Sequence, residues 1–98
     1  NNGLRFDAVI AAEDIHAVSA IKFARSMGLS IPEDLIITGF NNSILSTCCE
    51  PELTTIDNHI EQVCLSAVNT LMRVFEGETA QTKTMISNDL VIRETTDF

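Results

Sequence analysis

The stretch FDAVIAAEDIHAVSAIKFARSMGLSIPEDLIITGF, residues 6–40, has the pattern of a strand, a helix and a second strand. Its first seven residues form an apolar run suited to a strand buried on both faces. Asp14 then fits a helix N-cap, and Gly28, a residue that commonly ends helices, follows the helical pattern. The apolar stripe predicted for this helix consists of Ala17, Ala20, Ile21, Ala24 and Met27. A second apolar strand, DLIITGF, follows at residues 34–40. Strand, helix and strand in this order predict a βαβ unit with parallel strands and a right-handed crossover.

The second half of the chain contains one long amphipathic segment. LTTI, residues 53–56, reads as a third short strand, and Asn58 and Glu61 then have the spacing of a capping box. A helix over residues 60–76 is predicted, ending before Gly77, and a polar loop is predicted at 77–83. TMISNDLVIRET, which follows, is either one extended segment or two strands broken near residues 88–89. The apolar stripe of that helix consists of Ile60, Val63, Cys64, Ala67, Val68, Leu71, Met72 and Phe75.

Length, charge and cysteine content limit the classes of protein to which the chain can belong. The chain has 98 residues, of which 45% are hydrophobic, enough for one globular domain. Its six basic and fourteen acidic residues give a net charge of −8, which disfavours direct contact with nucleic acid or an anionic membrane. No apolar run approaches the length of about 18 residues that a membrane span needs. Three cysteines without framework spacing favour a reducing cytoplasm.

Polar side chains follow the predicted strands. Glu13 comes after the first strand, and Asn41 and Asn42 come after the second. In open parallel sheets, ligands bind outside the carboxyl ends of the strands, and amides there can bond a neutral polar ligand such as a sugar. Alternatively, the asparagines form a turn, and Glu13 is a solvated residue near a helix N-terminus. Asn58 is either a helix cap or a further ligand contact.

No pattern for catalysis or metal binding stands out. His16 and His59 lie far apart and lack a metal-like partner at i+4. Cys48 and Cys49 are interpreted as small loop or interface residues, and the four glycines are isolated, so no phosphate loop is predicted. We therefore expect no catalytic residue, no metal site and no cofactor.

The order and spacing of GLSIPEDLIITGF, PELTTI and LVIRETT closely resemble the core domain of LacI/GalR-type transcriptional repressors. That resemblance implies an α/β fold like that of periplasmic binding proteins, with a parallel sheet flanked by helices. In that family two subdomains close around a small effector, and a separate N-terminal helix-turn-helix domain binds the operator. By this resemblance the chain is the C-terminal third of the core.

The resemblance also implies a domain division. Residues 1–57 and 89–98 would belong to the C-terminal effector-binding subdomain, whereas 58–88 would give a helix and a strand to the N-terminal subdomain. The DNA-binding domain would lie outside this chain, which agrees with its acidic charge. The whole protein would be a cytoplasmic, sugar-responsive repressor that forms homodimers and is not an enzyme.

Effector contacts are implied by position. Many members have Asn-Asp after the first strand, where this chain has Glu13 and Asp14, and many have Asp after the second strand, where it has Asn41. Asn42 follows directly, and Asn58 matches more loosely a contact after LTTI. The run GFNN is similar to the maltose-operon repressors of Gram-positive bacteria, which suggests a maltose-like α-glucoside as effector.

A dimer surface is expected on the first helix and on the loop after the second strand. Some of its apolar residues lie off the core stripe of the helix, and others occupy a loop that ought to be polar. The family resemblance points to the same place. The residues concerned are Ile15, Val18, Ile44, Leu45, Cys48 and Cys49.

Two other functions remain open from sequence. The chain could belong to a sugar-binding component of an uptake system with the same fold. It could also be a fragment of an α/β enzyme, although Glu13 is then the sole candidate for acid–base chemistry at the strand ends.

Overall fold

The secondary structure follows the predicted order. The computed structural model describes residues 6–79 and 83–97. Its strands are β1 (Ala8–Ile10), β2 (Ile36–Thr38), β3 (Thr55–Asp57) and β4 (Asp89–Val91). Its helices are α1 (Asp14–Ser26), α2 (Leu45–Cys48) and α3 (Ile60–Phe75), and a 3₁₀ turn spans Glu94–Thr96. The strands are shorter than the apolar runs that predicted them, and the last extended segment contains a single short strand.

The βαβ unit is confirmed. β1 and β2 pair in parallel, with Val9 opposite Ile37, and α1 lies between them in the chain. A parallel bridge from Thr38 to Thr54 adds the segment that leads into β3. β3 then pairs with β4 in antiparallel register, with Ile56 opposite Leu90. The carboxyl ends of β1, β2 and this third segment therefore lie at one edge.

The core lies between α1 and the parallel strands. The predicted stripe of α1 is buried at three positions, and Ala20 packs against the core while half-buried. Met27 was expected in this stripe but is exposed, because the helix ends before it and its backbone only caps the last turn. The fully buried apolar residues are Ala17, Ile21, Ala24, Leu35, Ile37 and Leu53.

The helix α3 lies outside this core. None of its residues is buried, although it has the predicted apolar stripe. The radius of gyration is 18.0 Å, against about 13 Å for a compact domain of this length. The long dimension is 59 Å and the other two are 27 and 19 Å. The described residues thus form a small packed unit with one extended helix beside it.

Helix starts differ from the predictions, and helix ends agree with them. Glu13, not Asp14, is the N-cap of α1, and His59, not Asn58, is the N-cap of α3. Neither cap makes a side-chain hydrogen bond to the helix. After the helices, Gly28 and Gly77 adopt φ of +75° and +85°, the left-handed region where glycine is least strained. The polar loop predicted at 77–83 falls partly outside the described residues.

Within residues 6–79 and 83–97, no helix has the length and apolar character needed to cross a membrane.

Candidate functional site

The predicted polar residues lie at the carboxyl edge of the strands. Asn41 and Asn42 follow β2, Asn58 follows β3, and all three are half-buried. Glu13 follows β1 and is exposed. The backbone N–H of Asn41 donates to the Ile56 carbonyl at 2.9 Å, which draws the turn after β2 alongside β3. We call residues 40–43, with the two asparagines at their centre, the asparagine corner.

The asparagine corner has an uncommon backbone. Asn41 and Asn42 have φ of 103° and 51°, values that asparagine tolerates better than most residues. The chain therefore bends at the two asparagines, which fits a turn and a ligand role alike. The side chains bond across the fold: Asn58 Nδ2 donates to Asn41 Oδ1, and Arg93 Nη2 donates to Asn42 Oδ1, both at 2.8 Å.

Arg93 fixes the orientation of the Asn42 amide. A guanidinium has only donors, so the group that faces it must be the amide oxygen. Arg93 Nη1 also donates to the Leu53 carbonyl at 3.0 Å, so two acceptors hold the guanidinium in place. The Asn42 Nδ2 group therefore points away from Arg93 and is a donor. This pairing could not be predicted from local spacing, since 51 positions separate the two residues.

The role of Asp14 also differs from the helix N-cap that the sequence predicted. Its side chain is only 1% exposed and accepts hydrogen bonds from the Ser43 amide (2.6 Å), the Ser43 hydroxyl (2.8 Å) and the Thr55 hydroxyl (2.6 Å). Three donors compensate the desolvation of the carboxylate. An aspartate that caps a helix and an aspartate that bonds distant residues can both stand before an apolar helical stripe. The two roles therefore could not be told apart from the sequence.

Glu13 adds an acceptor to the edge. Its backbone is extended, and its carbonyl accepts from the amides of His16 and Ala17 at 3.1 Å. Its carboxylate has no hydrogen-bond partner among the described residues and is exposed at the start of α1. Both interpretations of Glu13, a solvated residue or a ligand contact, fit this position.

Asn58 is not a helix cap. Its Nδ2 bonds Asn41, and its Oδ1 is buried without a hydrogen-bond partner in the described part of the chain. A buried acceptor left unpaired costs about 1–3 kcal/mol. An acceptor for which the described residues supply no donor therefore lies beside the asparagine corner.

His59 joins the ends of β3 and β4. Its Nε2 lies 2.7 Å from Asp89 Oδ2, and its Nδ1 lies 3.8 Å from Asp57 Oδ2. Asp57 and Asp89 are partners in the antiparallel register. His16 is exposed on α1, as predicted. Among residues 6–79 and 83–97 no cluster of three or more His, Cys, Asp or Glu residues could hold a metal ion.

The expected dimer residues form part of the exposed surface. Ile15, Ile44 and Leu45 are 55%, 77% and 37% exposed, and Cys48 is exposed as well. Val18 is half-buried. The loop after β2, which carries Ile44, Leu45 and Cys48, contains the short helix α2, and this helix was not predicted from the sequence.

Cys49, the last of the expected dimer residues, packs against the core while half-buried. Burial raises the pKa of the Cys49 thiol above its ordinary value. The neutral thiol form is therefore favoured, which fits a small packing residue better than a nucleophile.

The chain matches the periplasmic binding protein-like domain over residues 3–96, and it belongs to that family. Among relatives, it is 55% identical over 96 residues to an HTH-type transcriptional regulator of Lachnoclostridium phytofermentans, covering 98% of this chain and 29% of the relative. The chain therefore spans less than a third of this relative's length.

Solved structures agree with the fold. A periplasmic binding protein/LacI transcriptional regulator from Alkaliphilus metalliredigens QYMF, complexed with D-xylulofuranose, superposes with a TM-score of 0.88 at 30% identity, over 95% of this chain and 35% of that one. The lac repressor dimer bound to operator and the anti-inducer ONPF superposes with a TM-score of 0.91 at 27% identity, over 98% and 29%. The predicted resemblance to LacI-type repressors and the periplasmic-binding-protein-like α/β fold are confirmed.

Proposed function

We propose that this chain is the effector-binding and dimerisation part of a sugar-responsive transcriptional repressor. The observation that carries the proposal is the asparagine corner at the carboxyl edge of the strands. There Asn42 presents Nδ2 as a donor, Asn58 Oδ1 has no donor, and Glu13 adds a carboxylate. Sugar hydroxyls both donate and accept, so a polyol complements an edge that offers both donors and acceptors.

Charge supports a neutral ligand. With Glu13 at the edge and a net charge of −8, an anionic ligand would be repelled. Neutral amides also cost less to desolvate than charged side chains. Because Asn41 stands where the resemblance places an aspartate, the effector contacts differ from those of many members. The run GFNN supports a maltose-like α-glucoside as effector.

The greater length of the relatives supports a division of this chain between two subdomains of a longer protein. In this proposal residues 1–57 and 89–98 belong to the C-terminal effector-binding subdomain, and residues 58–88 belong to the other. The exposed apolar stripe of α3 fits such an arrangement, because the remainder of a longer chain would cover it. Operator DNA would be bound by a domain outside this chain, in the cytoplasm.

Dimerisation is assigned to apolar residues of α1 and of the loop after β2. A two-fold interface brings each such surface against its own copy. The proposed contact residues are Ile15, Val18, Ile44, Leu45, Cys48 and Cys49.

The site is tested by Asn41→Gly in the full-length protein that contains this chain. Glycine removes the amide but tolerates φ of 103°, so the backbone of the corner is retained. Loss of a hydrogen-bonding partner worth about 1–3 kcal/mol should weaken maltose binding roughly ten- to a hundredfold, measured by titration calorimetry. Asn88→Gly, at an exposed position outside the corner, is the matched control and should bind maltose normally.

Unchanged maltose affinity in a folded Asn41→Gly variant would contradict the site. If the unsubstituted protein binds no maltose, a thermal-shift panel that includes cellobiose and D-xylulose will test whether the effector is another sugar. A regulator is distinguished from an uptake component by operator binding that the bound sugar changes. Turnover of glycosides would favour the enzyme alternative.

A further inference from the structure

We infer that Asp14 is the positioning residue that holds the asparagine corner in its binding geometry. This inference rests on the proposed function and adds a residue to it. Asp14 touches the corner from both ends. Its backbone N–H donates to the Phe40 carbonyl at 3.1 Å, and its carboxylate accepts from the Ser43 amide and hydroxyl.

A relay through Thr55 reaches the middle of the corner. The Thr55 hydroxyl donates to Asp14 Oδ1 at 2.6 Å and accepts from the backbone N–H of Asn42 at 3.3 Å. Thr55 itself is fully buried, so its hydroxyl has a fixed environment. Asp14 thus acts, directly or through one hydroxyl, on Phe40, Asn42 and Ser43.

The backbone of the corner needs such support. Two successive non-glycine residues with positive φ are strained, and they persist where the surroundings hold them. The Asn42 backbone is reached through the Thr55 hydroxyl, and the flanking residues Phe40 and Ser43 are bonded directly by Asp14. Glycine at position 39 leaves room for it, since a Cβ there would collide with Asp14 Oδ1. Asp14 does not need to touch the sugar, because it holds the backbone from which the two asparagine side chains extend.

The test is Asp14→Asn in the full-length protein. Asparagine keeps the size and can still accept from Thr55 through its oxygen, but its NH₂ would face the Ser43 N–H, donor against donor. We expect the amide hydrogen of Ser43 to exchange at least tenfold faster, measured residue by residue by mass spectrometry. Maltose affinity should fall at least tenfold in calorimetry.

Repeating the substitution in the Asn41→Gly variant separates an effect of Asp14 on the asparagine corner from a general loss of stability. If Asp14 acts through the asparagines, Asp14→Asn should lower maltose affinity less than threefold once Asn41→Gly is present. Ile37→Val, at a fully buried core position away from the corner, is the stability control. It should lower the urea midpoint and leave both the Ser43 exchange rate and maltose affinity unchanged.

Each result bears on the inference separately from the proposed function. Equal losses of affinity with and without Asn41→Gly overturn it, as does unchanged Ser43 exchange. Failure of the unsubstituted protein to bind maltose overturns the proposed effector. The exchange rate of the Ser43 amide hydrogen in Asp14→Asn then tests, without any sugar, whether Asp14 holds the asparagine corner. Should Asp14→Asn fail to fold, Thr55→Val removes only the relay hydroxyl, and faster exchange at Asn42 is the expected result.

Discussion

At the scale of single residues, Gly39 shows how tightly the candidate site is packed. A Cβ built at this position would lie 2.8 Å from Leu53 Cδ2 and 3.2 Å from the Asp14 Cα, besides meeting the Asp14 carboxylate. Gly28 differs, since it has open space around it and a positive φ. One glycine is therefore required for room and the other for backbone conformation.

We expect Gly39→Ala to destabilise the chain by about 1–3 kcal/mol, because the added methyl group overpacks a buried contact. Gly28→Ala should cost about 1–2 kcal/mol through backbone strain. Asparagine separates the two mechanisms: it tolerates left-handed φ, so Gly28→Asn should recover stability relative to alanine, whereas Gly39→Asn should be worse than alanine. Urea unfolding measures all four variants, and equal stability of Gly39→Ala and the unsubstituted chain would contradict the steric explanation.

The residues that the sequence did not reveal share one property. Asp14 bonds residues 29 and 41 positions away, and Arg93 bonds Asn42 at a distance of 51 positions. Local spacing contains no signal for such pairs. The place of Glu13, Asn41 and Asn42 at the carboxyl edge could be predicted because they come shortly after strands, a local feature that fixes their position in a parallel sheet. Their contact with an effector stays a prediction.

At the scale of elements, α1 and α3 show what periodicity predicts and what it leaves open. Both have an apolar stripe at helical spacing, and both were predicted close to their observed bounds. The stripe of α1 is buried at three positions, and that of α3 at none. A pattern shows which face of a helix is apolar. It cannot show whether the element that covers this face belongs to the same stretch of chain.

Substitutions in the two helices should therefore differ in cost. In this 98-residue chain, Ile21→Ala removes a side chain that is 3% exposed and should cost about 2–5 kcal/mol. Leu71→Ala truncates a side chain that is 53% exposed and should change stability by less than about 0.5 kcal/mol. Urea unfolding followed by circular dichroism gives both values.

The same pair of variants tests the placement of α3. In the full-length protein proposed above, the stripe of α3 would be covered, and Leu71→Ala should become several times more costly than in the 98-residue chain. An equally small effect in both contexts would contradict the assignment of residues 58–88 to a second subdomain.

Across the molecule, two of the exposed apolar surfaces have a proposed partner. One is the stripe of α3, and the other is the surface formed by α1 and the loop after β2. The second contains Ile15 and Ile44, which are 55% and 77% exposed. A net charge of −8 keeps such a chain soluble without masking either surface. Surfaces of this kind are common at sites where proteins associate.

The dimer assignment predicts that Val18→Glu combined with Leu45→Glu converts the full-length dimer into monomers without unfolding it. Val18 is half-buried on α1, and Leu45, 37% exposed, begins α2. Around a two-fold axis each new carboxylate lies near its own copy, so four like charges would have to be desolvated together. The variant pair Ser26→Glu and Ser30→Glu adds the same charge at exposed positions and should remain dimeric. Sedimentation velocity at micromolar concentration is the measurement, with circular dichroism to verify the fold. A double variant at positions 18 and 45 that sediments as a dimer with a native spectrum would move the interface away from α1 and α2.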